Sequence, residues 1–366
     1  MKNNLETAFV QLGNRSDITT GAVNPPLYLS TAYAHPGIGE STGYDYTRTK
    51  NPTRTVLEEG FAELEKGDRA FACSSGMAAI QLVLSLFRSG DELLVPEDIY
   101  GGTYRLFDFY EEAYDIKPIY SPFRTVEETA AAITANTKAI FLETPTNPLM
   151  QEFSIAAYSE LAKNHNLLLV VDNTFLTPYL QQPIADGADI VIHSATKYIG
   201  GHNDVLAGLV VSKGTEISDR LAVLHNGAGA VLSPLDAWLL IRGLKTLPLR
   251  MRQHQSNAAR IAAYLEEEPK VKDVLYAGKG GMLSFRVQNG SWIDPFLRSL
   301  NVITFAESLG GVESFITYPT TQTHADIPVD EREARGICDR LLRFSVGIED
   351  AEDLIADLQQ AFANLD

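Results

Sequence analysis

The feature that most restricts this chain is a series of short runs that are apolar at nearly every position. Between residues 53 and 213 they fall at Arg69–Cys73, Leu93–Val95, Ala139–Leu142, Leu167–Val171, Ile190–Ile192 and Leu209–Val211, with helical patterns between them. A strand with no polar side has to be covered on both faces, and strands that alternate with helices achieve this in a parallel sheet. The expected class is therefore α/β. Helices are predicted over Met77–Phe87 and over Ile155–His165, the latter with Leu161 and Ala162 facing inward. Beyond residue 233 the pattern changes. A long helical stretch, Pro234–Glu268, is interrupted near Pro248, and strand-like runs follow at Met282–Val287, Ser314–Tyr318 and Leu341–Val346 before an amphipathic helix near Ala351–Phe362. This predicts a smaller C-terminal α+β domain. Residues 1–45 lack periodicity and are rich in Gly, Pro, Asn and Ser, so they read as an extended arm that needs a surface to lie against, such as a partner subunit. The expected organisation is an arm over 1–45, a large domain over 46–245 and a C-terminal domain over 246–366.

Composition narrows the partners. With 366 residues and 45% hydrophobic content the chain can fill two domains. Its 30 Lys and Arg face 47 Asp and Glu, a net charge of −17 that repels phosphate backbones and anionic lipid. Nucleic acid and membrane are not expected partners. No run approaches the roughly 18–20 apolar residues of a membrane span, and the first residues lack a secretory pattern. Cys73 and Cys338 cannot form a disulfide framework and are expected to pack as small hydrophobes. The chain reads as cytoplasmic.

In open α/β sheets ligands bind at the carboxyl ends of the strands, so the residues after each run sample the site. They are Ser74-Ser75-Gly76, Glu143-Thr144-Pro145-Thr146-Asn147-Pro148, Asp172-Asn173-Thr174 and His193-Ser194-Ala195-Thr196-Lys197. Ser75-Gly76-Met77 opens a helix whose unpaired amides favour an anion such as phosphate, although many helices begin this way. Ser194 and Thr196 add hydroxyls. Lys197 lies just past a buried strand, where an amine either forms an imine with a carbonyl or carries its charge out to solvent. Asp172 either caps its own turn or holds a pyridine nitrogen protonated. A phosphate nest, an imine-forming lysine and a ring-nitrogen acid together fit one cofactor, pyridoxal 5′-phosphate. Gly200-Gly201-His202-Asn203-Asp204 lacks a second His or Cys at ligand spacing, so no metal is expected. Its glycines are read as letting the backbone pass close to the site. His193 is read as a packed strand residue, and Trp238, Leu239 and Leu240 as core.

The sequence resembles the cystathionine synthase/lyase (Cys/Met metabolism) family of fold-type I pyridoxal-phosphate enzymes over nearly its whole length. The resemblance rests on Tyr46-Thr47-Arg48-Thr49-Lys50-Asn51-Pro52-Thr53, Ser74-Ser75-Gly76-Met77-Ala78-Ala79, Tyr100-Gly101-Gly102-Thr103, Glu143 to Pro148, Asp172-Asn173-Thr174, Ser194-Ala195-Thr196-Lys197-Tyr198, Glu307-Ser308-Leu309-Gly310-Gly311 and Leu342-Arg343-Phe344-Ser345-Val346-Gly347. It implies an aminotransferase-like fold, a large domain with a mostly parallel sheet and a smaller C-terminal domain. It implies Lys197 as the Schiff-base lysine and proton shuttle and Asp172 as partner of the ring nitrogen. Gly76, Met77, Ser194 and Thr196 are then implied at the phosphate, with Tyr46 and Arg48 arriving from a neighbouring subunit. Tyr100 is implied to stack on the ring and assist the leaving group. Arg343 is implied to hold the substrate carboxylate with help from Ser308 and Asn147.

Glu307 stands where members acting at the γ-carbon often carry Glu, and Gly102 where methionine γ-lyases carry Cys. The insertions of the long sulfhydrylases are missing. The resemblance is strongest to short bacterial γ-synthases that also use sulfide, which implies γ-replacement on an O-acyl-L-homoserine, the acetyl ester first, by cysteine to give L-cystathionine or by sulfide to give homocysteine. A cystathionine γ- or β-lyase is the alternative, and a homotetramer is the implied assembly. From another class, a non-catalytic cofactor-binding protein fits poorly because every catalytic position is filled. A nicotinamide dehydrogenase fits poorly because no G-x-G-x-x-G opens a first βα turn.

Overall fold

The computed structural model describes residues 4–365. The strands in chain order are β1 (Arg69–Cys73), β2 (Glu92–Pro96), β3 (Lys117–Ser121), β4 (Thr137–Glu143), β5 (Leu168–Asp172), β6 (Ile190–Ser194) and β7 (Gly208–Ser212), then β8 (Val271–Leu275), β9 (Met282–Val287), β10 (Thr304–Phe305), β11 (Phe315–Thr317) and β12 (Leu341–Ser345). The helices are α1 (Leu5–Gln11), α2 (Pro52–Glu65), α3 (Gly76–Leu84), α4 (Gly101–Tyr114), α5 (Val126–Ala131), α6 (Ile155–His165) and α7 (Thr177–Leu180), then α8 (Thr215–Ala228), α9 (Pro234–Leu244), α10 (Leu247–Glu267), α11 (Ile293–Ser299), α12 (Val329–Ala334) and α13 (Ala351–Ala363). Residues up to Arg88 form one compact unit with Leu168–Pro248, and Ser89–Leu167 form another with the residues from Leu249 onward.

In the first unit the strand order is β1-β7-β6-β5. β5 and β6 are parallel, with Asp172 beside Ile192. β7 runs antiparallel to both neighbours, so that Gly208 lies beside Ser194 on one side and Cys73 on the other. The sheet is thus mixed rather than uniformly parallel. The physical reason is the connection from β6 to β7, residues 195–207, which contains no helix to carry the chain back across the sheet. An evenly apolar run does not disclose its own direction. α2 starts where Asn51 accepts hydrogen bonds from the Thr53 and Arg54 amides and Pro52 fills the first turn, where its missing N–H costs nothing. It ends at Lys66, which takes the left-handed conformation at φ 61°.

In the second unit β4, β2 and β3 pair in parallel, and a five-stranded sheet has the order β10-β11-β12-β9-β8. β12 lies antiparallel to β9 and β11 and sets Arg343 between Ser284 and Thr317. One face packs Leu283, Phe285, Leu342 and Phe344 against Ile261, Leu265, Leu354 and Leu358. At its centre the rings of Phe296 and Phe362 lie 4.6 Å apart, each edge-on to Phe285.

The expected elements at Arg69–Cys73, Ile155–His165 and Met282–Val287 coincide with β1, α6 and β9. Others differ. The 1–45 segment is not wholly extended, because α1 buries Phe9, and Leu12 just after it packs against Gly60, where a Cβ would lie 2.8 Å from the leucine side chain. A seven-residue helix with so few apolar contacts leaves no periodicity to read. The long helical stretch is interrupted near Pro248 as expected, at Lys245 and Thr246, with Pro248 in the second position of α10. Leu240 is core, but Trp238 and Leu239 are half-buried, the indole N–H donating to the Pro25 carbonyl at 3.2 Å. Cys73 is buried, whereas Cys338 is half-buried. Among the described residues no helix is long and apolar enough to cross a membrane.

Truncating Phe296 removes the ring that packs on both Phe285 and Phe362. Phe296→Ala is expected to cost about 3–5 kcal/mol in denaturant unfolding. A loss below about 1 kcal/mol would contradict this account of the core.

Candidate active site

The first unit gathers most of the residues that the sequence points to. Ser75, extended at φ −164°, caps α3 by accepting the Ala78 amide at 3.0 Å, while the Ala79 amide reaches the Ser75 carbonyl at 3.1 Å. Of the four amides that open the helix, those of Gly76 and Met77 have no hydrogen bond among the described residues. Two adjacent N–H groups at a helix N-terminus present positive charge without a partner. Their position depends on residues without side chains. A Cβ on Gly76 would stand 2.8 Å from Ser194 Cβ, and one on Gly208 would stand 2.1 Å from the Ser75 carbonyl oxygen. The segments 74–77, 194–197 and 207–208 therefore meet at backbone distance.

Asp172 closes β5. One carboxylate oxygen, Oδ1, accepts the Thr174 amide at 3.0 Å and the Thr174 hydroxyl at 2.6 Å. The same hydroxyl oxygen accepts the Ser194 amide at 2.8 Å, so Thr174 joins the ends of β5 and β6. Asp172 lies deep among surrounding atoms yet keeps an accessible face. Loss of water raises its carboxyl above the ordinary carboxylate range, opposed by the two Thr174 hydrogen bonds and by the charge of His193. Thr174 is a site residue that sequence reasoning missed, although an acid followed two positions later by Thr is the pattern of a side-chain-bonded turn.

Lys197 is half-buried in the turn after β6. Its amide donates to the Ser194 carbonyl at 3.2 Å and its carbonyl accepts the Gly201 amide at 2.8 Å. The Thr196 hydroxyl donates to the Ala207 carbonyl at 3.1 Å and accepts the Ala207 amide at 3.0 Å. Its proton is thereby engaged inside the turn, and the Ser194 hydroxyl is the one left to face an anion. Gly200 packs its backbone under α9, where a Cβ on Gly243 would meet the Gly200 carbonyl oxygen at 2.7 Å. His193 is fully buried on β6, as a packed strand residue should be. Tyr46 and Arg48 are not brought to this cluster. Both are exposed, with the Arg48 guanidinium 5.7 Å from the Tyr46 ring centre and donating to the Asn226 carbonyl at 2.6 Å.

The second unit holds the remaining residues. Arg343 on β12 is 1% exposed, which excludes a surface role. Its guanidinium donates to Asn147 Oδ1 at 3.0 Å, to the Thr317 hydroxyl at 3.0 Å and to the Ser308 carbonyl at 3.2 Å. Asn147 and Ser308 thus meet Arg343, Ser308 by its backbone and not its hydroxyl. Tyr100 precedes α4, and Glu143 fixes it by accepting its amide at 2.9 Å. Burial raises the Tyr100 hydroxyl, with Arg105 and Arg343 opposing and Glu307 and Glu143 adding to the shift. Glu307 itself is exposed. His324 is a second residue that sequence reasoning missed. It is fully buried, pairs with the Thr323 hydroxyl at 2.7 Å and donates to the Asn147 carbonyl at 3.2 Å. Burial and the charge of Arg343 hold its imidazole down at about 4. A histidine in a segment without helix or strand gives no periodic signal.

These features define an α/β protein with an anion nest, a lysine and a half-buried carboxylate at the carboxyl ends of its strands. The family model described as Cys/Met metabolism PLP-dependent enzyme matches residues 6–363, and the chain belongs to that family. It is 64% identical over 362 residues to the cystathionine gamma-synthase of Haemophilus influenzae, covering 99% of this chain and 98% of that protein. It is 60% identical over 365 residues to the cystathionine gamma-synthase/O-acetylhomoserine (thiol)-lyase of Bacillus subtilis, covering 100% and 98%. The crystal structure of cystathionine gamma synthase from Xanthomonas oryzae pv. oryzae superimposes with a TM-score of 0.96 at 42% identity, covering 100% of both chains. The chain accordingly has the fold-type I architecture of pyridoxal-phosphate enzymes, and its cofactor is pyridoxal 5′-phosphate.

The residues present fit that group. The Gly76 and Met77 amides suit a phosphate, and Gly76 supplies the space a side chain would fill. Asp172 has both Thr174 bonds on Oδ1, which leaves Oδ2 for a ring N–H.

Two variants test this geometry. Gly208→Ala drives a Cβ into the Ser75 carbonyl and is expected to destabilise by about 1–3 kcal/mol and to weaken cofactor binding, read by thermal melting and by equilibrium dialysis. For His324, whose value falls from 6.5 to about 4 on folding, the unfolded chain binds the proton first as pH drops. Its contribution is present above 6.5 and is lost toward pH 4, by up to about 3 kcal/mol. His324→Gln should flatten that part of the stability–pH curve, and an unchanged slope would contradict it.

Proposed function

We propose that this protein catalyses γ-replacement on an O-acyl-L-homoserine, the acetyl ester in the first place, with L-cysteine as acceptor to give L-cystathionine and with sulfide to give homocysteine. The observation that carries this reading is the meeting, in one unit, of two unbonded helix amides, a lysine and a half-buried carboxylate, in a chain at least 60% identical to two γ-synthases. Small amino acids are the substrates, and the pathway served is methionine biosynthesis by transsulfuration.

When bound, the cofactor would supply an aldehyde for an amine and a protonated ring that withdraws electrons. Gly76, Met77 and Ser194 hold its phosphate, with Thr196 shaping the turn beside it. Asp172 holds the ring nitrogen protonated. Tyr100 would cover the ring and assist departure of the acyl group. Arg343 grips the substrate carboxylate through its planar guanidinium, while Asn147, Thr317 and the Ser308 carbonyl fix its orientation. Lys197 takes the proton from Cα and moves a second from Cβ, which lets acetate leave from Cγ. The thiolate of cysteine, or sulfide, then adds at Cγ, and Lys197 returns protons to Cβ and Cα. Glu307, exposed and itself one of the charges that act on Tyr100, would receive the amino group of the incoming cysteine.

The exposure of Tyr46 and Arg48 supports a site completed by a neighbouring subunit, and we take the assembly to be a homotetramer working in the cytoplasm. We retain the domain division of an arm over 1–45, a cofactor domain over 46–245 and a C-terminal domain over 246–366.

O-acetyl-L-homoserine and cysteine should yield cystathionine and acetate in equal amounts. Consumption of cystathionine without its formation would instead establish the lyase reading. Arg343→Ala should raise KM for the acylated substrate on the order of 30-fold or more, equivalent to about 2 kcal/mol. An unchanged KM would remove Arg343 from substrate binding.

A further inference from the structure

Glu65 is the last residue of α2, and its Oε1 lies 2.5 Å from His193 Nε2 on β6. Both side chains are fully buried, and the ring of Phe61 meets the imidazole edge-on at 5.2 Å. Neither Glu65 Oε2 nor His193 Nδ1 has a hydrogen-bond partner among the described residues. Burying two polar side chains with unfilled hydrogen-bonding valences is costly, and well-packed apolar residues of similar volume serve a core as well or better. Packing alone therefore gives no reason for this pair.

Its position does. His193 immediately precedes Ser194 and comes directly after Ile192, which lies beside Asp172 on the neighbouring parallel strand and accepts the Asn173 amide at 2.9 Å. Side chains alternate along a strand, so Asp172, in register with Ile192, and His193 project from opposite faces of the sheet. The backbone of the two strands separates them at the carboxyl ends of β5 and β6. The other groups acting on Asp172 are the amide and hydroxyl of Thr174, both neutral. Their two hydrogen bonds are the stronger influences against the burial that raises Asp172, and the charge of the imidazole adds to them from the far face.

We propose that Glu65 and His193 form a positioning pair for the cofactor: Glu65 holds a proton on the imidazole behind β5, the imidazolium keeps Asp172 an anion, and Asp172 in turn keeps the cofactor ring nitrogen protonated. The inference rests on the reading that Asp172 meets that nitrogen. It requires charge at residue 65, beyond mere occupancy of the space.

The test uses holoenzyme loaded with pyridoxal 5′-phosphate labelled with nitrogen-15 in the ring, whose resonance reports protonation directly. Asp172→Asn sets the unprotonated reference. Glu65→Gln preserves shape and one hydrogen bond but removes the charge. It should move the resonance part of the way toward that reference and weaken cofactor retention about tenfold, the equivalent of one pKa unit. Phe61→Leu, which alters the same pocket without altering charge, should leave the resonance in place. A folded, loaded Glu65→Gln enzyme with the wild-type resonance overturns the proposal. If Glu65→Gln does not fold, the double variant Glu65→Leu/His193→Leu replaces the pair with an apolar one, and the same shift or its absence decides. If Asp172→Asn itself leaves the resonance unmoved, the reading of Asp172 fails first, and that failure is distinguishable from failure of the pair.

Discussion

The site depends on how closely three backbone segments approach one another. Ser75, Ser194 and Gly208 lie at distances that exclude a Cβ on either Gly76 or Gly208. This approach lets a helix begin against the end of β6 with its Gly76 and Met77 amides unbonded. The Thr174 hydroxyl then fastens β5 to β6 by donating to Asp172 and accepting from Ser194. An anion nest, an acid and the lysine turn are thereby fixed relative to one another by short, local bonds. A cofactor with a phosphate at one end and a ring nitrogen at the other needs such fixed spacing, since a misplaced reactive group loses much of the rate.

Much of this is legible in the chain itself. Evenly apolar runs locate β1, β5, β6 and β7 to within about two residues, the usual error at element ends, because a strand buried on both sides leaves no polar position. The residues directly after those runs include Asp172, Ser194 and Lys197, since ligand sites in open sheets lie at strand ends. The direction of β7 is not legible, for its composition is that of its parallel neighbours and only the helix-free 195–207 connection decides it. α1 is hidden because it buries Phe9 alone, with Leu12 just past its end. The commitment of the Thr196 hydroxyl to Ala207 is a matter of rotamer and turn geometry, which no motif specifies.

The second unit shows the same division. Arg343 is found through its motif, and its burial on β12 is the expected setting for a planar donor that must be held still. Its supports are only partly legible. Asn147 lies in a recognisable segment, but Thr317 enters by strand register and Ser308 by its carbonyl. His324 bonds to the Asn147 carbonyl from a segment without helix or strand. Contacts made across long sequence separations by loop residues carry no periodicity, and tertiary structure alone reveals them. Likewise Glu65 gives no sign in the sequence of meeting His193, which lies 128 positions away.

The proposed function turns on one lysine, Lys197 just past β6, as the carrier of the cofactor. Reducing the yellow holoenzyme with borohydride freezes the linkage, and peptide mass spectrometry then locates it. A phosphopyridoxyl group is expected on the peptide bearing Lys197 and on no other lysine. An unmodified Lys197 peptide, or the group fixed elsewhere, would contradict it.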